Sequence, residues 1–280
     1  MELYELLDYT LPPRVIEYLN YMLTVKNMSM GTAKNYKSEL RMFFRFLKKM
    51  KTRSKDKLDD INISDIDDDF IQNITLPDMY SFISFITIER KNGAQARARK
   101  IAAIKSFFKY LESKAKVITQ NPARELESPK IDKRNPIYLT LDESMKLLNS
   151  VTGKHKARNY CIIVLFLNCG LRLSELVGIN MSNIKEDTLT VIGKGNKERT
   201  IYLNELCLES IENYLKVRII PDNLDDKDAL FISGKRKRIS EKAIQELLGK
   251  YFKQAGLTGK KYTAHKLRHS ATCCNLKRVA

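Results

Sequence analysis

No apolar run in the 280 residues approaches the roughly 18–20 that a membrane-spanning helix requires. The longest, Cys161 to Leu167, has the length of a buried helical segment. The opening stretch MELYELLDYTLPPR is acidic and lacks a basic region followed by a long apolar one, so it does not read as a signal peptide. Cysteine is scarce. Cys161, Cys169, Cys207, Cys273 and Cys274 are odd in number and show no CxxC spacing, which argues against a disulfide framework and reads as reduced thiols in a cytoplasmic protein. The pair His265 and His269 has the HxxxH spacing of a zinc site, but no glutamate follows the first histidine and no third ligand is evident, so no metal is expected. A GxxxxGK[ST] phosphate loop and a nucleophile elbow are also missing, and no cofactor is expected.

What the chain has in excess is positive charge. Fifty basic residues against thirty-three acidic ones give a formal +17. Residues 1–130 carry 23 basic and 17 acidic side chains, and residues 131–280 carry 27 and 16. An excess shared by both halves points to a polyanion held between them, most simply nucleic acid. No aromatic strand signature of an RNA-recognition fold is present, which favours double-stranded DNA.

Proline and charge divide the chain. Residues 117–137, VITQNPARELESPKIDKRNPI, hold three prolines and no helical apolar period, and read as an extended linker. Residues 1–116 before it are helical in pattern, and residues 138–280 after it alternate helix, a short strand pair and helix again. The expected fold is therefore mainly α with a small β-hairpin or sheet. In residues 33–48, AKNYKSELRMFFRFLK, the spacing puts Tyr36, Leu40, Phe43, Phe44 and Leu47 on one helical face and Lys34, Lys37, Arg41, Arg45 and Lys48 on the other. A row of one sign repels itself unless something anionic lies along it, as a phosphate backbone would. Gly31 and Thr32 are the candidate caps. A second such helix, residues 96–114, turns Ile101, Ile104, Phe107, Phe108 and Leu111 inward and leaves Arg99, Lys105 and Lys109 outside. The acidic stretch between them, DDINISDIDDDF, reads as a solvent loop leading into a helix start.

The second half opens on ARNYCIIVLFLNCGLRLSELVGI, residues 157–179: a buried helix, a stop at Gly170 and a second amphipathic helix. Arg172 falls in the turn between two apolar stretches, where a guanidinium needs a partner or an anion. Glu175 is placed to brace it. DTLTVIGKGNKERTIYL, residues 187–203, reads as a hairpin with Lys194 at its tip. In YTAHKLRHS, Thr263 is a credible N-cap, and His265 and Arg268, three apart, share a face.

Taken together, CGLRLSELVGI, VIGKGNKERTIYL and HKLRHS in this order resemble the tyrosine recombinases, the phage-integrase family, and within it the Xer-like bacterial enzymes. The resemblance spans about Pro13 to Ser270. It implies a helical core-binding domain, a linker and a mostly helical catalytic domain, closing as a clamp on DNA from opposite sides. It implies strand cleavage through a 3′-phosphotyrosyl bond, with neither ATP nor metal. Arg172 and Arg268 would then grip the non-bridging phosphate oxygens, Lys194 would protonate the leaving 5′-oxygen, and His265 would assist by proton transfer or hydrogen bonding. Glu175 would support them, while His269 would be structural.

The family pattern continues after its HxLR segment with a helix, a GH pair and the nucleophilic tyrosine. Here twelve residues follow Arg268 and none is tyrosine; the last tyrosine, Tyr262, precedes the motif. The expectation is a chain truncated at its C-terminus that binds DNA without cleaving it and whose assembly into multimers is doubtful. A non-catalytic DNA-binding protein, acting as regulator or competitor at recombination sites, is the alternative.

Overall fold

The computed structural model describes residues 8–131, 138–193, 197–259 and 262–273, without the side chains of residues 269 and 271–273. The chain divides into two units, Met1–Lys133 and Arg134–Ala280. Both are mainly helical, and the second holds one small sheet. No helix among the described residues is long and apolar enough to cross a membrane.

The first unit contains α1 (Pro13–Thr24), α2 (Met30–Thr52), α3 (Asp68–Gln72), α4 (Leu76–Ile88) and α5 (Ala94–Ser113). The helix read from residue 33 begins at Met30. Its cap is Ser29, whose side chain accepts the Thr32 N–H, and neither Gly31 nor Thr32 serves. The expected inward faces are observed: Leu40, Phe43, Phe44 and Leu47 of α2 pack with Ile101, Ile104, Phe107, Phe108 and Leu111 of α5 in one core. Phe43 meets Phe82 and Phe108 edge to face at centroid distances of 5.2 and 6.2 Å, a geometry that adds to burial.

Two expectations need correction here. The acidic stretch 59–70 is more than a solvent loop, because Ile61, Ile63 and Ile66 are buried in the core and pin it down. The segment 117–126, read as the first half of a linker, packs Val117, Ile118, Ala123 and Leu126 into the same core. Proline content signalled an irregular backbone there, and the four apolar side chains decided that it would pack.

The second unit runs α6 (Leu141–Asn149), α7 (Lys156–Cys169), α8 (Leu173–Gly178), β1 (Ile184–Lys185), β2 (Thr188–Ile192), β3 (Glu198–Tyr202), α9 (Glu205–Leu215), α10 (Glu241–Gln254) and α11 (Ala264–Cys273). The strands form an antiparallel sheet in the order β1-β2-β3; the two-residue β1 was not visible in the sequence. Helix α7 is the centre of this core. Every residue from Cys161 to Leu167 is buried, and α9 and α11 pack against it. Gly170, at φ 58°, ends α7 in the left-handed region. Cys161, Cys169 and Cys207 are free thiols. Burial pushes the Cys161 thiol up to about 12, which leaves it unreactive.

Candidate active site

The site is built on the turn that follows α7. Leu171 is fully buried and anchors that turn. Arg172 comes next in extended conformation, and its side chain is 47 % exposed. One turn into α8, the Glu175 side chain lies almost wholly buried, at 2 % exposure. Its Oε2 accepts the Arg172 backbone N–H at 2.8 Å and Arg199 Nη2 at 2.8 Å. Its Oε1 accepts Arg172 Nη1 at 2.5 Å. Arg268 Nη1, from α11, stands 3.7 Å from Oε2. One carboxylate thus gathers three guanidinium groups, from the turn before α8, from β3 and from α11, and the cluster keeps a net positive charge.

Burial works against the charge on Glu175, but the Arg172 N–H and the Arg199 and Arg172 side chains outweigh it and hold the carboxyl below its usual value. For Arg268 the balance runs the other way: burial, then the like charge of Arg172, lower the affinity of its guanidinium for its proton, and Glu175 offsets part of that. A group of cations this close is costly without an anion, and an arriving phosphate would be met by donors already in place.

The hairpin reaches the same spot. The Gly193 N–H bonds to the Lys197 carbonyl at 2.8 Å and closes the neck of the β2–β3 turn. A Cβ built on Gly193 would lie 3.3 Å from Arg172 Nη1 and 3.4 Å from Glu175 Oε1. Glycine therefore lets the backbone approach the arginine cluster. Lys194 lies outside the described residues. His265 and Arg172 line one cavity of about 730 Å³, whose apolar wall includes Leu248, Phe252 and Tyr262. Leu267, wholly buried, orients α11 so that His265 remains exposed. Tyr262 is buried and its ring lies 5.5 Å from that of Phe252. Among the described residues no group of three or more His, Cys, Asp or Glu side chains could hold a metal ion.

Of the expected site residues, the structure brings together Arg172, Glu175, Arg268 and His265. Arg199 was missed. The signal lay in the register: Arg199 pairs with Val191, which is buried, so the two share the inward face of the ladder. An arginine on that face requires a partner, and Glu175 is that partner.

In the first unit the argument from an unbalanced basic face needs revision. Asp8 pairs with Lys37 at 3.1 Å and with Arg41. Asp59 pairs with Arg45 at 3.4 Å, and Asp65 with Lys48 at 2.5 Å. The counter-charges come from distant sequence, chiefly from the acidic stretch, and so escaped a helix-by-helix reading. Lys34 is exposed on the same helix. On α5, Arg99 contacts Glu39 at 3.3 Å, Lys105 donates to the carbonyls of Arg124 and Leu126 at 3.0 Å, and Lys109 is exposed.

The fold recurs in solved structures. A lambda integrase dimer bound to a COC′ core site aligns with a TM-score of 0.71 at 17 % identity, covering 95 % of this chain and 90 % of that one. The XerH site-specific recombinase bound to palindromic difH substrate aligns at 0.67 with 20 % identity, covering 88 % and 69 %. The phage integrase N-terminal SAM-like domain matches residues 15–115, and the phage integrase family matches residues 138–276. The chain belongs to the phage integrase family, the tyrosine recombinases, which carry out site-specific recombination by cutting and rejoining DNA strands. Within the family it is Xer-like. It is 58 % identical over 262 residues to tyrosine recombinase XerC of Caldanaerobacter subterraneus subsp. tengcongensis, covering 93 % of this chain and 74 % of that protein. It is 32 % identical to tyrosine recombinase XerC of Psychromonas ingrahamii, covering 93 % and 81 %.

Proposed function

We propose that this chain binds double-stranded DNA in the cytoplasm and that Arg172 and Arg268 hold the scissile phosphate. The observation that carries this reading is the buried Glu175 with its three arginines, a preformed site for an oxyanion. As phosphorus becomes five-coordinate, charge builds on its non-bridging oxygens, and fixed guanidinium donors meet it without reorganising. The phenolic oxygen of a tyrosine forms the new P–O bond as its proton passes to water, and the bond to the 5′-oxygen breaks. Lys194 delivers a proton to that oxygen, and His265 hydrogen-bonds the phosphate. Lys34, Lys37, Arg41, Arg45, Lys48, Arg99, Lys105 and Lys109 would steer and hold the duplex from the first unit, whose domain takes in the packed segment 117–126. The nucleophile is assigned to none of these 280 residues.

Rejoining gives a test that needs no tyrosine in the chain. A nicked duplex is selected from a random library by repeated binding. It carries a 3′-p-nitrophenyl phosphate on one side of the nick and a 5′-hydroxyl on the other. The hydroxyl oxygen attacks phosphorus and loses its proton to Lys194 in its neutral form, the reverse of the cleavage step, while p-nitrophenolate leaves with the bonding electrons. The expected result is coloured release coupled to ligation. Tight binding with release no faster than in free solution would instead favour a DNA-binding protein without catalysis.

A further inference from the structure

The cluster contains one arginine that this reading leaves without a task. Resting on the assignment of Arg172 and Arg268 to the phosphate, we infer that Arg199 is a positioning residue, which occupies Glu175 and so keeps Arg268 from closing onto that carboxylate. Glu175 Oε2 accepts two hydrogen bonds at 2.8 Å, one from the Arg172 backbone and one from Arg199 Nη2. A carboxylate oxygen has two lone pairs, so the capacity of Oε2 is filled. Arg268 Nη1 stands next to it at 3.7 Å, beyond hydrogen-bond reach yet within ion-pair distance. The two arginines differ in their anchoring. Arg199 sits in the β2–β3 ladder opposite Val191, so its backbone is fixed by strand pairing. Arg268 projects from the first half of α11.

Removing the Arg199 guanidinium would leave a lone pair on an anion whose side chain is 2 % exposed. The carboxylate would keep Arg172 on both oxygens but lose one of its two Oε2 donors, and the nearby guanidinium of Arg268 is placed to take that position. A movement of under 1 Å would suffice to bring 3.7 Å to hydrogen-bond length. Arg268 would then be drawn closer to Glu175 and away from the phosphate. Arg199 therefore serves the reaction through Glu175.

The test uses the full chain with Arg199→Gln, Arg199→Lys and the double variant Arg199→Gln/Glu175→Gln. Arg199→Gln should slow p-nitrophenolate release at saturating nicked duplex by about 10–100-fold, the scale of a misplaced catalytic group. Its DNA dissociation constant should stay within about threefold of the wild type, because phosphate contacts elsewhere supply most of the affinity. Arg199→Lys still donates to Oε2 and should recover most of the rate. The double variant should be faster than Arg199→Gln, because a neutral glutamine no longer draws Arg268. A crystal structure of Arg199→Gln should show Arg268 Nη1 at about 3 Å from Glu175 Oε2. Weaker binding with an unchanged rate at saturation would make Arg199 an ordinary phosphate contact and overturn the inference. So would a variant structure in which Arg268 keeps its present separation. If the wild type itself releases no p-nitrophenolate, the parent reading fails, and the variant structure still decides the role of Arg199.

Discussion

Lys100 Nζ lies 2.6 Å from Glu39 Oε2, and both side chains are nearly buried, at 8 % and 10 % exposure. This pair joins α5 to α2 inside the first unit. Losing Lys100 leaves the buried Glu39 carboxylate to Arg99, whose side chain is 64 % exposed, whereas replacing both Lys100 and Glu39 with apolar groups of similar size removes the desolvation cost as well. Lys100→Met is therefore expected to lower the unfolding free energy by about 3 kcal/mol, and Lys100→Met with Glu39→Leu to recover most of it. Urea midpoints of the single and double variants check this.

Arg172→Ala and Arg268→Ala should each reduce phosphoryl transfer by about 10²–10³, as removal of one oxyanion donor does. Arg268→Lys should also be slow, because an ammonium cannot present two parallel donors to two oxygens. Rates at saturating DNA, measured beside dissociation constants, separate this loss from weaker binding.

Acid should act on Glu175. Its carboxyl titrates below the usual 4.5 in the folded chain, so the stability it contributes is present above that value and drains away as pH falls through the lowered one. The wild type should lose stability on acidification from about pH 5 more steeply than Glu175→Gln, and that variant should already be less stable at neutral pH. A urea-midpoint series against pH gives both slopes; parallel slopes would remove Glu175 from this account.

DNA affinity should fall steeply with salt in the wild type, on a log–log plot. Lys109→Ala should shallow that slope by about 1 if the side chain meets a phosphate. Asp65→Asn releases Lys48 from its partner and should strengthen non-specific binding. Titrations at several salt concentrations distinguish the two variants.

The sequence made the helices legible wherever apolar spacing was regular, as in α2, α5 and α7, and where a glycine had to end one, as at Gly170. It made Arg172 and Glu175 legible because charged groups in apolar turns demand partners, whereas His265 and Arg268 were picked out by the resemblance that HKLRHS carries. It hid what depends on register and long-range pairing. Arg199 shows its direction only once it is aligned with Val191. The Asp8, Asp59 and Asp65 partners of the basic helix come from residues that no helical period connects to it. The early part of the proline-rich stretch looked like a tether because backbone signals say nothing about where Val117 and Leu126 find cover.

The acidic stretch pinned by Ile61, Ile63 and Ile66 gives the first unit a resident imitation of a phosphate backbone. If duplex DNA lies along this face, as proposed, its phosphates compete with Asp59 for Arg45 and with Asp65 for Lys48. Random DNA gains little from such an exchange, while a site that fits well elsewhere can tolerate it. Under that proposal, weak holding of wrong sequences is set by aspartates that the chain carries in its own fold.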